Sequence, residues 1–224
     1  PDETYMLYTF LKDTAQFFRQ HLIALIIITV GLGFLFEVLF VLLQGAFAEF
    51  PYAWPLMLLQ WVGGVWASAA VVLYVRQSLN NQYLPPKDAI TQALPWVLPL
   101  AGVQILTGFA VGLGLLLIVP GIYFGVRLAL ATFYLIDGRE PIPDALRKAW
   151  TGSMGFGWII FGGYALIYGV LLLVSQLLVG GLDLAAGYGP LNFIIALIFK
   201  PVGAFALIFG FRIYSEAVKQ PAKP

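Results

Sequence analysis

VLPLAGVQILTGFAVGLGLLLIVPGIYFGVRLALATFYLI, residues Val97–Ile136, is the stretch on which the fold turns. It runs for about 40 residues with one charge, Arg127, whereas a single helical crossing of a bilayer needs only about 20 apolar residues. Pro120-Gly121 divides it, because Pro ends a helix for want of an N–H and a Pro-Gly pair turns the chain. The simplest reading is two apolar helices joined by a minimal hairpin. A helix that is apolar all round must be covered by protein or by lipid.

The same signal recurs on both sides. Apolar runs at about 22–43, 54–75, 97–119, 121–136, 157–179 and 191–213 predict six spans. Composition agrees: the 224 residues are 61% hydrophobic and 10% charged, with a mean hydropathy of +0.90, against about 25% charged residues in a soluble domain. Six spans take roughly 120 to 135 residues, which leaves no room for a soluble catalytic domain. The expected fold class is an all-α integral membrane protein, one membrane domain over residues 1–224. Absence of Cys excludes disulfides and thiolate metal sites, and a net charge of +1 with no basic tract points away from nucleic acid. Pro1, Asp2 and Glu3 do not make a basic leader, so the first apolar run reads as a span and not as a signal peptide.

Lys and Arg near span ends are retained on the cytoplasmic side, so their placement sets orientation. Lys12, Arg19, Arg76, Lys87, Arg139, Arg147, Lys148, Arg212, Lys219 and Lys223 all fall on one side, and the opposite loops carry Glu49 and Asp183 without a basic residue. Both termini are therefore expected in the cytoplasm. Trp96, Trp150 and Trp158 near the inner interface, and Trp54 and Tyr188 near the outer one, match an aromatic belt.

An internal repeat underlies the spans. Asp88–Leu94 and Asp144–Trp150 share the pattern Asp-Ala-apolar-polar-polar-Ala-apolar, each after prolines and each leading into a span. In the second copy Ile142, Ala145, Leu146, Ala149 and Trp150 lie at helical spacing while Asp144, Arg147 and Lys148 face away, as in a short interfacial helix. A weaker third copy runs from Leu7 to Arg19. The chain thus reads as three units, about 7–76, 86–136 and 142–213, each a cytoplasmic interfacial helix followed by a transmembrane hairpin. Val75-Arg76, Val126-Arg127 and Phe211-Arg212 recur late in the units. Were these arginines at equal depth, the second hairpin would be shallow or re-entrant, since only about 9 Å of helix separates Gly121 from Arg127. The preferred expectation is a full crossing with Arg127 embedded.

Glu37, Arg127 and Lys200 are the charges this assignment leaves in hydrocarbon, each at a cost of roughly 2.5 to 3.5 kcal/mol at mid-helix. Depths counted from the outer span ends let all three meet, forming an anion or lipid-headgroup pocket, part of a proton or substrate path, or a structural ion pair with Lys200 snorkelling. Lys200-Pro201 adds a mid-span kink of the kind transporters use at binding sites. Arg147 and Lys148 are candidates for anionic lipid heads. Gly108-x-x-x-Gly112 and Gly121-x-x-x-Gly125 predict close helix packing within the bundle or a homo-oligomer face. Enzymatic motifs are absent: there is no His-Glu-x-x-His, no Gly-x-Ser-x-Gly and no phosphate-cradling loop, and the one histidine, His21, sits at the start of a span. No catalytic residues, metal site or cofactor are expected.

The segment PGIYFGVRLALATFYLIDG (Pro120–Gly138), continued by PDALRKAW (Pro143–Trp150), resembles the YciC-like family of bacterial inner-membrane proteins, as does the opening FLKDTAQFFR (Phe10–Arg19). A related pattern occurs in the membrane domain fused to some glycerophosphodiester phosphodiesterases. The resemblance covers nearly the whole chain and implies an inner-membrane location and a loose association with lipid-metabolising domains. It carries over no functional residues, and the sparse outer loops here differ from family members with larger ones. The function expected is a non-enzymatic envelope protein, an accessory subunit or lipid-handling factor whose partners are membrane lipids and a membrane protein or second copy. The alternative is a small transporter or channel using the embedded charges.

Overall fold

A computed structural model describes residues 3–44, 54–181 and 190–219. Glu49, Asp183, Tyr188 and Lys223, used in the arguments above, lie outside the described residues. Among the described residues every regular element is a helix: α1 (Glu3–Gln20), α2 (Leu22–Gln44), α3 (Trp54–Leu79), α4 (Pro86–Leu115), α5 (Val119–Leu128), α6 (Ala131–Ile136), α7 (Ile142–Gly152), α8 (Gly157–Gly181) and α9 (Pro190–Lys219). Six helical stretches are long and apolar enough to cross a membrane: Leu22–Leu43, Trp54–Leu79, Pro86–Leu115, Val119–Ile136, Gly157–Leu177 and Leu197–Lys219. This architecture fits a multi-pass membrane protein.

Three details differ from the sequence reading. The first repeat copy, Asp88–Leu94, is not a separate short helix. It is the beginning of α4, which runs on unbroken past Pro95 and Pro99 to Leu115. Pro86 occupies the first turn, where its missing N–H has no carbonyl to lose. Second, the hairpin turn is Leu116–Ile118, and Pro120 lies inside the first turn of α5. Third, of the four glycines in the two patterns only Gly121 makes a close helix approach within the chain. Nothing lies within 4 Å of a side chain built at Gly108 or Gly112, and Gly125 faces only Val111 at 3.8 Å. The close approach is between Gly114 and Gly121. A Cβ on Gly114 would sit 2.6 Å from the Gly121 nitrogen, and one on Gly121 would sit 2.5 Å from the Leu115 nitrogen. Only residues without side chains let α4 and α5 come this close.

The core gathers around the second half of α3. Ala69 through Val75 are all buried, on every face of the helix, because α2, α4, α6 and α9 surround it. Phe133, Leu135 and Ile136 of α6 and Ile208, Phe209 and Ile213 of α9 close the same core. Trp66 of α3 donates its Nε1 proton to the Ile90 carbonyl of α4 at 2.8 Å, which fixes the register of those two helices.

Candidate functional site

Glu37 lies in the last turns of α2 and is only 2% exposed. A buried carboxylate must be hydrogen-bonded, and Gln60 of α3 donates from Nε2 to Glu37 Oε2 at 2.8 Å. One turn earlier, Gly33 leaves room for Lys200 of α9: a Cβ there would meet Lys200 Cγ, Cδ and Cε at 3.1–3.2 Å. The aliphatic stem of Lys200 therefore lies across α2 on the same helical face as Glu37. Arg127 goes elsewhere. Its guanidinium sits 5.0 Å from the centroid of the Tyr123 ring, and Tyr123 meets Trp150 of α7 edge-on at 5.5 Å. The expected gathering of three charges is thus only half met. The tight turn holds α5 against the end of α4 and beside α7 and α8, away from the α2–α9 seam.

Arg147 and Lys148 stand exposed on α7, whose Ala145 and Ala149 are fully buried beneath them. Lys148 donates from Nζ to Glu140 Oε1. The amphipathic division read from the sequence is the one seen, and Arg147 remains at the surface.

A second polar cluster was not foreseen. Arg76 near the end of α3 pairs through Nε with Asp137 Oδ1 at 2.7 Å, and the Tyr214 hydroxyl of α9 donates to Asp137 Oδ2 at 2.9 Å. Tyr134 packs edge-on against the Tyr214 ring at 4.9 Å. Asp137, just past α6, thereby ties three helix ends together. The recurring apolar-Arg pairs flagged Arg76, but the partner follows α6 about 60 residues along the chain, and only the fold brings it near. His21, where α1 gives way to α2, shares a 2.8 Å hydrogen bond through Nδ1 with the Tyr74 hydroxyl and stacks on Phe17 at 4.3 Å. Burial pushes the His21 imidazole below its usual pKa.

Among the described residues two apolar grooves stand out on the surface. One, of about 560 Å³, runs between α1, α8 and α9 and is lined by Leu11, Ala15, Ile167, Val170, Val202 and Phe205 among others, with Lys12 as its one charge. The other, of about 340 Å³, lies between α5 and α8 along Ile122, Val126, Phe161 and Tyr164. Neither is lined by Glu37, Arg127 or Lys200. Among the described residues no group of three His, Cys, Asp or Glu could hold a metal ion. No protein-family model matches the chain, and no curated protein or solved structure does either.

Proposed function

We propose that this chain is a non-enzymatic, multi-pass protein of the bacterial inner membrane that handles lipid, akin to the YciC-like proteins its sequence resembles. In this reading the chain enters the bilayer as three helical hairpins. Both termini, α1, the start of α4 and α7 lie on the cytoplasmic face. The observation that carries it is the groove between α1, α8 and α9. It is apolar along its length, its volume of about 560 Å³ is within the 300–1,000 Å³ typical of ligand sites, and Lys12 stands at its wall. An acyl chain fits the apolar walls, and the ammonium can meet a phosphate head.

The alternative of transport calls for Glu37, Arg127 and Lys200 around a wet path. Glu37 instead lies in helix packing with Gln60, and Arg127 lies on a different helix pair. The parting of Arg127 from the other two charges favours the lipid reading. The test is extraction in lipid-preserving polymer discs followed by quantitative mass spectrometry of bound lipid and protein. An anionic lipid enriched over the bulk membrane is expected, lost on filling the groove with Val170→Trp and reduced by Lys12→Gln. A stoichiometric protein with no enriched lipid would make the chain an accessory subunit and overturn the lipid reading.

A further inference from the structure

The turn between α4 and α5 is apolar and exposed. From Gly108 to Ile122 there is no polar side chain. At the tip Leu116, Leu117, Ile118 and Val119 are 79%, 74%, 67% and 73% exposed. A loop emerging into water would leave this apolar tip hydrated, at roughly 25 cal/mol for every Å² that lipid could cover.

Chain in contact with lipid must satisfy its backbone polar groups internally, and at this turn every N–H does so, while the Leu116 carbonyl alone accepts no backbone hydrogen bond. Leu116 donates to Leu113 O at 3.3 Å, Leu117 to Gly114 O at 3.1 Å, Ile118 to Leu115 O at 3.1 Å and Val119 to Leu117 O at 2.7 Å. Pro120, next in line, has no N–H to satisfy. The last bond closes a three-residue γ-turn about Ile118, at φ 60° and ψ −68°.

The position of α7 sets the depth. Its Arg147 and Lys148 are exposed, so α7 lies at a water boundary. Yet α7 runs alongside the α4–α5 pair: Ile142 Cδ1 packs over Gly102, and Trp150 touches Tyr123 and Phe124, with ring centroids at 5.5 and 5.7 Å. Tyr123 is therefore one ring contact from an interfacial helix. From Tyr123 to Leu117 is six residues, at most about 9 Å at helical rise, and from Gly102, the α4 residue beneath Ile142 of α7, to Leu115 is 13, about 20 Å, both short of a hydrocarbon core about 30 Å thick. The path back is not one straight rod either, because α5 ends at Leu128 and α6 starts at Ala131 after a turn.

We propose that the α4–α5 hairpin is a membrane-buried wedge. Its turn, Leu116–Val119, stops within the hydrocarbon, covered by lipid acyl chains, and does not emerge on the far face. Arg127 then lies at the level of Trp150 and reaches lipid headgroups on the α7 side. The inference rests on membrane residence and is independent of the groove at Lys12.

The chain has no Cys, so single cysteines test this directly. Leu117→Cys and, as a second position, Leu116→Cys are treated with a membrane-impermeant maleimide in sealed vesicles of both orientations. Asn81→Cys, exposed in the α3–α4 turn, serves as the sidedness control. The expected result is labelling of the Asn81→Cys thiol from one face only and of the Leu116→Cys and Leu117→Cys thiols from neither, with full labelling after denaturation. A nitroxide attached to the Leu117→Cys chain should be relaxed by oxygen more than by a water-soluble nickel chelate. Labelling of the Leu117→Cys chain from the face opposite the one that labels Asn81→Cys would establish a full crossing and overturn the proposal. Disulfide formation between two copies of the Leu117→Cys chain, with no oxygen access, would replace acyl chains by a second copy and overturn it equally.

Discussion

Ala69–Val75 of α3 and Leu113–Val119 at the α4–α5 turn are both uncharged and apolar on every side, yet they have opposite surroundings. In the first, no residue exceeds 8% exposure. In the second, every residue but Gly114 is at least half exposed. Hydropathy records only that a segment must be covered. Whether protein or lipid covers it depends on neighbouring helices: α3 has four of these, whereas Leu116–Val119 stand exposed at the tip of their hairpin.

The largest effect should come from placing a charge in each stretch. Ala70→Asp buries an unpaired carboxylate among packed helices, a loss comparable with the roughly 5–15 kcal/mol that holds a domain together, and no monodisperse protein is expected on extraction. Leu117→Asp should be milder, costing about 2.5–3.5 kcal/mol of insertion and leaving the helix bundle folded. If Leu117→Asp proves harmless in yield and melting temperature, the turn sits in water and the comparison fails.

Next in size is the cluster closing the α3 end. Asp137→Ala leaves Arg76 unpaired and Tyr214 without its acceptor. Both partners of the ion pair are about a quarter exposed, at 27% and 26%, so the expected cost is about 1–2 kcal/mol, a melting temperature lower by a few degrees. Arg76→Gln combined with it should add less than its separate cost.

His21 gives a smaller, pH-dependent effect. Its folded pKa lies below the unfolded value of about 6.5, so the folded state disfavours the imidazolium. Stability is then full above about pH 6.5 and declines as the pH falls towards the folded pKa, where the unfolded chain binds the extra proton. Melting curves between about pH 7.5 and 5 should show this decline in the native chain and a shallower one in His21→Gln. A decline unchanged by the substitution would assign it to other groups.

The smallest effect belongs to the turn itself. Ile118→Gly removes the penalty of a positive φ at a β-branched residue and should raise the melting temperature slightly, by a gain of up to about 1 kcal/mol. A loss instead would mean that the isoleucine side chain is held by something more specific than lipid chains.

Much of the helical layout was legible because each apolar run exceeds what a soluble helix could hide. The turn was displaced by a few residues because Pro120 acts as a helix starter and not as the turn itself. Counting residues from span ends estimated the heights of Glu37, Arg127 and Lys200, but not which way each faces around the bundle. Arg127 consequently parted from the other two. Asp137 looked like an ordinary loop residue, because its partners Arg76 and Tyr214 are distant in the chain. Of the glycine pairs only Gly121 packs closely within the chain, against Gly114 seven residues back across the turn, because spacing marks where helices are able to approach and not which partner they meet.

The continuity of α4 has a mechanical meaning. Its 30 residues form a rod about 45 Å long, with softened points only at Pro95 and Pro99. One end carries Lys87 and Asp88, and the Trp66–Ile90 hydrogen bond anchors the rod close to that end. Buried positions at Ala89, Ala93, Leu100 and Val103 clamp its first 18 residues to the bundle, and beyond them only Gly114 is buried. The rod is therefore a cantilever, held along its first half and left at its far end to the acyl chains.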